Sequence, residues 1–292
     1  MTTLSELFQT SEPLRLLFDK VLLEGEAINL NNKRLTTLEG RGIPDIVQGH
    51  FNCQSNLLSS LEFSPQEVEG TFSCATNQLT SLKYLPKKLQ GSFYCSNNQL
   101  TSLEYCPTTI KGDFWCFNNK LSSLEHCPQN IQGTFSCATN QLTSLKYCPK
   151  VINSDFNCSR NKLTSLEYGP KEVKSNFKCY DNQLTSLEHC PTKVNGNFYC
   201  SRNQLTSLQD IHLLFKDGYI NGCINIAGNP IKSHILGLIL IPKLAAIIYK
   251  QEQNKDLILA CEIINKHLAG NRDVWVCQEE LLDNDLHEFA QL

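Results

Sequence analysis

Between residues 28 and 231 the apolar positions follow neither a strand period of two nor a helix period of 3.6. They recur as a block every 21 residues. Cysteines stand at 53, 74, 95, 116, 137, 158, 179 and 200, each with Phe two positions before it, Asn three after, and Leu five and eight after. Phe93, Cys95, Asn98, Leu100 and Leu103 make up one such unit. A proline follows in each interval, at 65, 86, 107, 128, 149, 170 and 191, and three residues beyond it comes Val68, Leu89, Ile110, Ile131, Ile152, Val173 or Val194. Gly49, Gly70, Gly91, Gly112, Gly133 and Gly196 precede the phenylalanines, with Ser154 and Ser175 in that slot twice.

Such a fixed period is the signature of a stacked repeat, in which one unit cannot bury its own apolar ring and neighbours share a core. Phe-x-Cys predicts a short strand whose alternate side chains point inward. Asn then turns the chain, and the two leucines and the post-proline aliphatic residue close the inward ring. Proline fits a far side that is extended and makes no sheet ladder. Two weaker units flank the eight: Ile28, Leu30, Leu35 and Leu38 before them, with Lys33 in the Asn slot, and Gly222, Ile224, Ile226, Asn229 and Ile231 after an insertion of five residues. Ten coils predict an arc roughly 45 Å long at the usual strand spacing.

Outside this block the pattern turns helical. Leu4, Leu7, Phe8, Leu14, Leu16, Leu17, Val21 and Leu22 predict one or two amphipathic helices with Ser11 as N-cap and Pro13 in the first turn, an N-terminal cap over 1–26. From Ser233 onward, helices are expected over 233–240, 242–252, 255–268 and 272–292, with Pro242 opening one, Gly270 closing another and Asp273 leading the last. The domains expected are therefore 1–26, a solenoid over 27–231, and a C-terminal helical cap or domain over 232–292.

The repeat resembles the leucine-rich-repeat family, x-Leu-x-x-Asn-x-Leu, with Cys in the central leucine slot. Its short coil and Leu-x-x-Cys-Pro link, as in Leu124 to Pro128, are similar to the bacterial-effector class with YopM- and IpaH-type coils. The resemblance covers 28–231 and departs from the family in its Phe and Cys positions and its added Gly. It implies an α/β solenoid, an arc of leucine-rich repeats with helical caps. It also implies that the Asn ladder (Asn56, Asn77, Asn98, Asn119, Asn140, Asn161, Asn182, Asn203) bonds the backbone of adjacent coils. The tail from Gln278 to Ala290 is similar to the C-termini of short-repeat proteins in tailed-phage genomes, which points to a phage origin.

Composition removes several function classes. Hydrophobic content of 41% with 19% charged residues is that of a folded chain. A net charge of −3 lacks the cationic excess of a general nucleic-acid surface. The longest apolar stretch, Ile235 to Pro242, is too short for a membrane span. The opening Met1-Thr2-Thr3-Leu4-Ser5-Glu6 has no basic n-region, so a cytoplasmic location is expected, that of the host if the source is viral.

Fifteen cysteines raise the question of metal, redox or disulfide chemistry. Eight lie in the inward strand slot, where Cys acts as a small hydrophobe, and no Cys-x-x-Cys pair exists for zinc. Cys106, Cys127, Cys148 and Cys190 precede proline in a slot that Leu85 also fills. His126 beside Cys127, and His189 beside Cys190, point to opposite sides of an extended chain. No cofactor and no metal are expected. The effector resemblance raises a Cys-based ubiquitin-ligase activity as an alternative, but only about 60 residues follow the last coil, and Cys261 and Cys277 fall in predicted amphipathic helices. A surface-receptor ectodomain is a further alternative, disfavoured by free cysteines and the missing signal.

The outward strand positions carry the candidate function. Tyr94, Trp115 and Phe117 cluster on neighbouring strands, with Asp113 beside them; Tyr180 and Tyr199 form a second group with Lys178, Arg160 and Arg202. Exposed aromatic residues and arginine are the usual anchors of protein interfaces. The expectation is a protein-binding scaffold, an inhibitor or effector that sequesters a partner protein through its concave face, with no nucleic acid and no membrane involved.

Overall fold

A computed structural model describes residues 27–249 and 254–292; the predicted N-terminal cap over 1–26 lies outside them. The repeat folds into an arc of parallel coils. Its concave side is one sheet of eleven strands, from Ile28–Asn29 through Phe51–Asn52, Phe72–Ser73, Phe93–Tyr94, Phe114–Trp115, Phe135–Ser136, Phe156–Asn157, Phe177–Lys178 and Phe198–Tyr199 to Cys223–Asn225 and Ala246–Ile248. Each strand pairs only with the one before and the one after, in register, so that Phe93 aligns with Phe114 and Tyr94 with Trp115.

Three layers of contact hold each coil to the next. Backbone N–H groups of Phe72 and Cys74 donate to the carbonyls of Ser92 and Tyr94 at 2.9 Å, and the pattern repeats along the sheet. Beneath it runs a spine of eight fully buried phenylalanines, Phe51 to Phe198, with ring centroids 4.9–6.0 Å apart. Such aromatic stacking contributes about 0.5–1.5 kcal/mol per pair beyond area burial. Third, the Asn ladder does what the family resemblance implies. Asn119 accepts from the Leu100 N–H at 3.0 Å, and its amide donates to the carbonyls of Cys95 and Cys116, both at 3.1 Å, so one side chain staples two coils.

The glycine that precedes most strands has a steric cause. A Cβ on Gly91 would lie 2.6 Å from the backbone carbonyl of Gly70, closer than any side chain tolerates. The coil backbones meet at that corner, and the absent side chain permits it.

The far side departs from expectation. After each proline the chain does make a sheet: short parallel ladders join Ile46–Val47, Glu67–Val68 and Lys88–Leu89; Thr109–Ile110 and Asn130–Ile131; and Val151–Ile152, Glu172–Val173, Lys193–Val194 and Tyr219–Ile220. Proline stands two residues upstream of the first paired residue, where its missing N–H costs the ladder nothing.

The C-terminal segment also differs. The helix predicted over 242–252 is not formed in its described part, 242–249: Ala246–Ile248 is a strand, paired with Cys223–Asn225 and adding an eleventh coil to the ten expected. The edge of the sheet offers unpaired backbone groups, and the Ile-rich run fits them better than a helix would. The new edge is itself covered. Asn265 accepts from the Ile247 N–H at 2.7 Å and donates to its carbonyl at 3.0 Å, occupying the groups on which a further strand would dock. Asn265 lies on α2 (Lys255–Ala269), which Asn254 caps and which Gly270 follows, as predicted. A short α1 (Ile211–Leu214) fills the five-residue insertion, and a 3-10 helix (Leu236–Leu240) replaces the expected helix over 233–240. The last predicted helix is shorter than 272–292: α3 runs Val274–Asp283, with Asp273 accepting from the Trp275 and Val276 N–H groups. Glu280 ties α3 to α2 through Lys266 and His267, both at 2.8 Å.

Candidate binding face

The sheet dictates the site. Phe and Cys of each strand are fully buried from 51 to 200, so the residues between and after them face the concave surface. The coils of Phe72 and Phe135 have the same sequence from the strand through the turn, TFSCATNQLTSLKY at 71–84 and 134–147, and present only Ser73, Ala75, Ser136 and Ala138 there. Between these flat shelves rises an aromatic ridge. Tyr94 stacks on Trp115 with centroids 4.4 Å apart and planes inclined by 28°, and Phe117 meets Trp115 at 6.2 Å. The three rings are half-buried, held partly by one another.

Asp113, predicted to join the ridge as a binding residue, bonds the next coil through one carboxylate oxygen. Its Oδ1 accepts from the Thr134 N–H at 2.7 Å. It belongs to a second side-chain ladder, just before the strands, that also runs through Ser92, Asp155, Asn176 and Asn197.

The second predicted group does come together. Lys178 pairs with Asp155 at 2.6 Å, both side chains mostly buried. Burial alone would raise the Asp155 carboxyl; the hydrogen bonds from Lys178, Ser175 and Asn176 outweigh it and hold the group down at about 2. Arg202 donates through Nη2 to Asp181 Oδ2 at 2.8 Å, with its guanidinium 5.8 Å from the centroid of the Tyr180 ring. Arg160 reaches the same carboxylate at 3.5 Å, so two cations share one anion. Tyr199 Oη accepts from the Asn197 amide at 3.0 Å.

Beside this group lies a feature that the sequence reading missed. An open cleft of about 300 Å³ is lined by Tyr180, Tyr199, Ser201, Arg202, Asn225, Ala227, Ile248 and Tyr249. Its far wall comes from the strand that had been read as helix. The signal was present in Ala246-Ile247-Ile248-Tyr249, a β-branched run with Ile in the Phe slot. Trp275 was missed as well: at the start of α3 it is 76% exposed, whereas Trp115 is half-buried.

The cysteines are core. All but Cys106 and Cys223 are buried, and the chain contains no disulfide among the described residues. Burial pushes the thiols of Cys53, Cys137 and Cys190 up to about 12. Cys261 and Cys277 of the C-terminal helices, the candidates for a ligase nucleophile, are likewise raised to about 12, chiefly by burial. A nucleophilic cysteine needs the opposite shift. His126 and His189 sit exposed in left-handed turns while Cys127 and Cys190 beside them are buried, so neither pair shares a proton. No helix among the described residues is long and apolar enough to cross a membrane.

No protein-family model matches this sequence, and no characterised protein matches it by sequence. Solved structures do match in fold. The functional domain of InlJ from Listeria monocytogenes, which includes a cysteine ladder, superposes with a TM-score of 0.55 at 21% identity over 80% of this chain. The match spans 55% of that chain, little more than half its length. Two YopM structures are less similar. That from Yersinia enterocolitica WA-314 scores 0.45 at 21% identity over 79% of this chain and 57% of that one. That from Yersinia pestis scores 0.47 at 19% over 84% and 81%. None of the three supports the phage origin read from the tail. The 21-residue coils, their parallel sheet and the InlJ likeness together establish that this chain has the leucine-rich-repeat fold.

Proposed function

We propose that the protein is a binding scaffold, not an enzyme, and that its concave face holds a partner protein, as an inhibitor or effector acting in the cytoplasm would. One observation carries the reading: the Tyr94–Trp115–Phe117 ridge stands on a face whose neighbouring coils present only serine and alanine. Aromatic rings are held there, half in water, at a cost that a purely structural coil avoids; the coils of Phe72 and Phe135 show that the fold is built without them. Large rings of fixed orientation surrounded by a flat polar field are how interfaces concentrate affinity. The C-terminal segment from 232 serves in this reading as the cap of the solenoid.

The test is recovery of partners from the source cell on immobilised full-length protein, with Trp115→Ala as the comparison. Loss of a specific partner by at least about thirtyfold, equivalent to ~2 kcal/mol, supports the concave face. A partner retained undiminished by Trp115→Ala, and by Tyr94→Ala, places binding on another surface.

A further inference from the structure

The cleft at the C-terminal end of the concave face has a shape that follows from stacking. Tyr199, Asn225 and Ile248 occupy equivalent outward positions on three successive strands. Strands lie ~4.8 Å apart, so Tyr199 and Ile248 stand ~10 Å from each other with the short Asn225 between them. Ser201 and Ala227 continue that low floor, while Tyr180 and Tyr249 complete the two walls. The gap between the walls is the width of one inserted side chain, and the walls are tyrosine and isoleucine. An apolar side chain is what they would take from water.

The polar edge is equally specific. Among the described residues that line the cleft, Arg202 is the one charged side chain. Its Nε and Nη2 are fixed by Asp181, which also holds Arg160, so two guanidinium groups share that one carboxylate. Among the described residues, Arg202 Nη1 donates to no protein atom, so a rigid guanidinium presents free N–H groups at the mouth. Glu262, on the helix packed against the Ile248 strand, lies beside the Tyr249 hydroxyl and is the other carboxylate nearby among the described residues.

We propose that this cleft is a specificity pocket for an internal segment of a partner protein, one that inserts an aliphatic or aromatic side chain between Tyr199 and Ile248 and sets an acidic side chain, one or two residues away, against Arg202. The proposal rests on the concave-face reading and adds the chemistry of the occupant. Charge complementarity selects the acid: a pre-oriented guanidinium with an unsatisfied edge binds a carboxylate in preference to a neutral oxygen.

The experiment uses the full chain and a library of random twelve-residue peptides displayed in a carrier-protein loop, joined at both ends, so that only internal segments are offered. Enriched peptides are expected to share an apolar residue with Asp or Glu within two positions. Their binding should fall at least tenfold with Arg202→Gln and with Tyr199→Ala, persist in part with Arg202→Lys, and survive Trp115→Ala. Unfolding midpoints of the variants close to that of the parent confirm that each is folded. Enriched peptides without an acid, or an empty selection, overturn the proposed occupant. Peptides that depend on Trp115 and ignore Arg202 and Tyr199 would leave the concave-face reading standing and remove the cleft. Peptides indifferent to all three substitutions would remove both.

Discussion

The ring of Tyr94 lies on the ring of Trp115, centroids 4.4 Å apart, because in-register parallel strands place the two residues side by side on one face. This makes Trp115 a reporter. Its half-buried indole should emit at shorter wavelength and be quenched less by acrylamide than Trp275, which is 76% exposed. The two single variants, Trp115→Phe and Trp275→Phe, separate the signals. Equal quenching of both would contradict the stacked ridge. Because Trp115 supports no core layer, Trp115→Ala should lower stability by no more than ~1 kcal/mol, of the order of one stacked pair.

Asn119 serves the core instead. Replacing it with Ala strands the Leu100 N–H in a buried place and takes one of two amide donors from each of the carbonyls of Cys95 and Cys116, which keep Asn98 and Asn140. The expected cost is about 2–3 kcal/mol, read as a lower denaturant midpoint, with the concave face unaltered. An unchanged midpoint would mean that water reaches those groups.

Stability should depend on pH through Asp155. Its folded pKa, about 2, lies below the ordinary value of 3.8. A depressed carboxyl stabilises the fold above its unfolded pKa, and that contribution is lost as pH falls from about 4 through about 2. With partial solvent screening it is about 1–2 kcal/mol. Asp155→Asn should flatten that limb of the stability curve. A variant that keeps the same slope would assign the acid sensitivity to other carboxyls.

Thiol reactivity gives an independent check on the core. In the native protein only Cys223, which is partly exposed, should react quickly with a disulfide reagent; Cys106, whose thiol burial pushes well above the usual range, should react slowly, and the remainder should react on unfolding. Fast modification of the strand cysteines would be incompatible with their burial and their raised pKa values.

Sequence by itself determined the repeat, because a 21-residue period in Phe, Cys, Asn, Leu and Pro has one economical solution: stacked coils that share an inward ring. The in-and-out assignment of Phe114, Cys116, Trp115 and Phe117 follows from the pleat alone. The caps Asp273 and Gly270 were likewise readable, being local choices of the chain. Tertiary structure decided what depends on a neighbour. Residues 246–248 contain helix-compatible and strand-compatible residues alike, and the open edge beside Cys223–Asn225 made them a strand. The post-proline arms became ladders because stacking brought their backbones together. Asp113 bonds the next coil because stacking placed the Thr134 N–H against its carboxylate. The cleft exists only because a coil with Asn225 and Ala227 on its concave face lies between coils that present Tyr199 and Ile248, a relation among three strands that no single repeat contains.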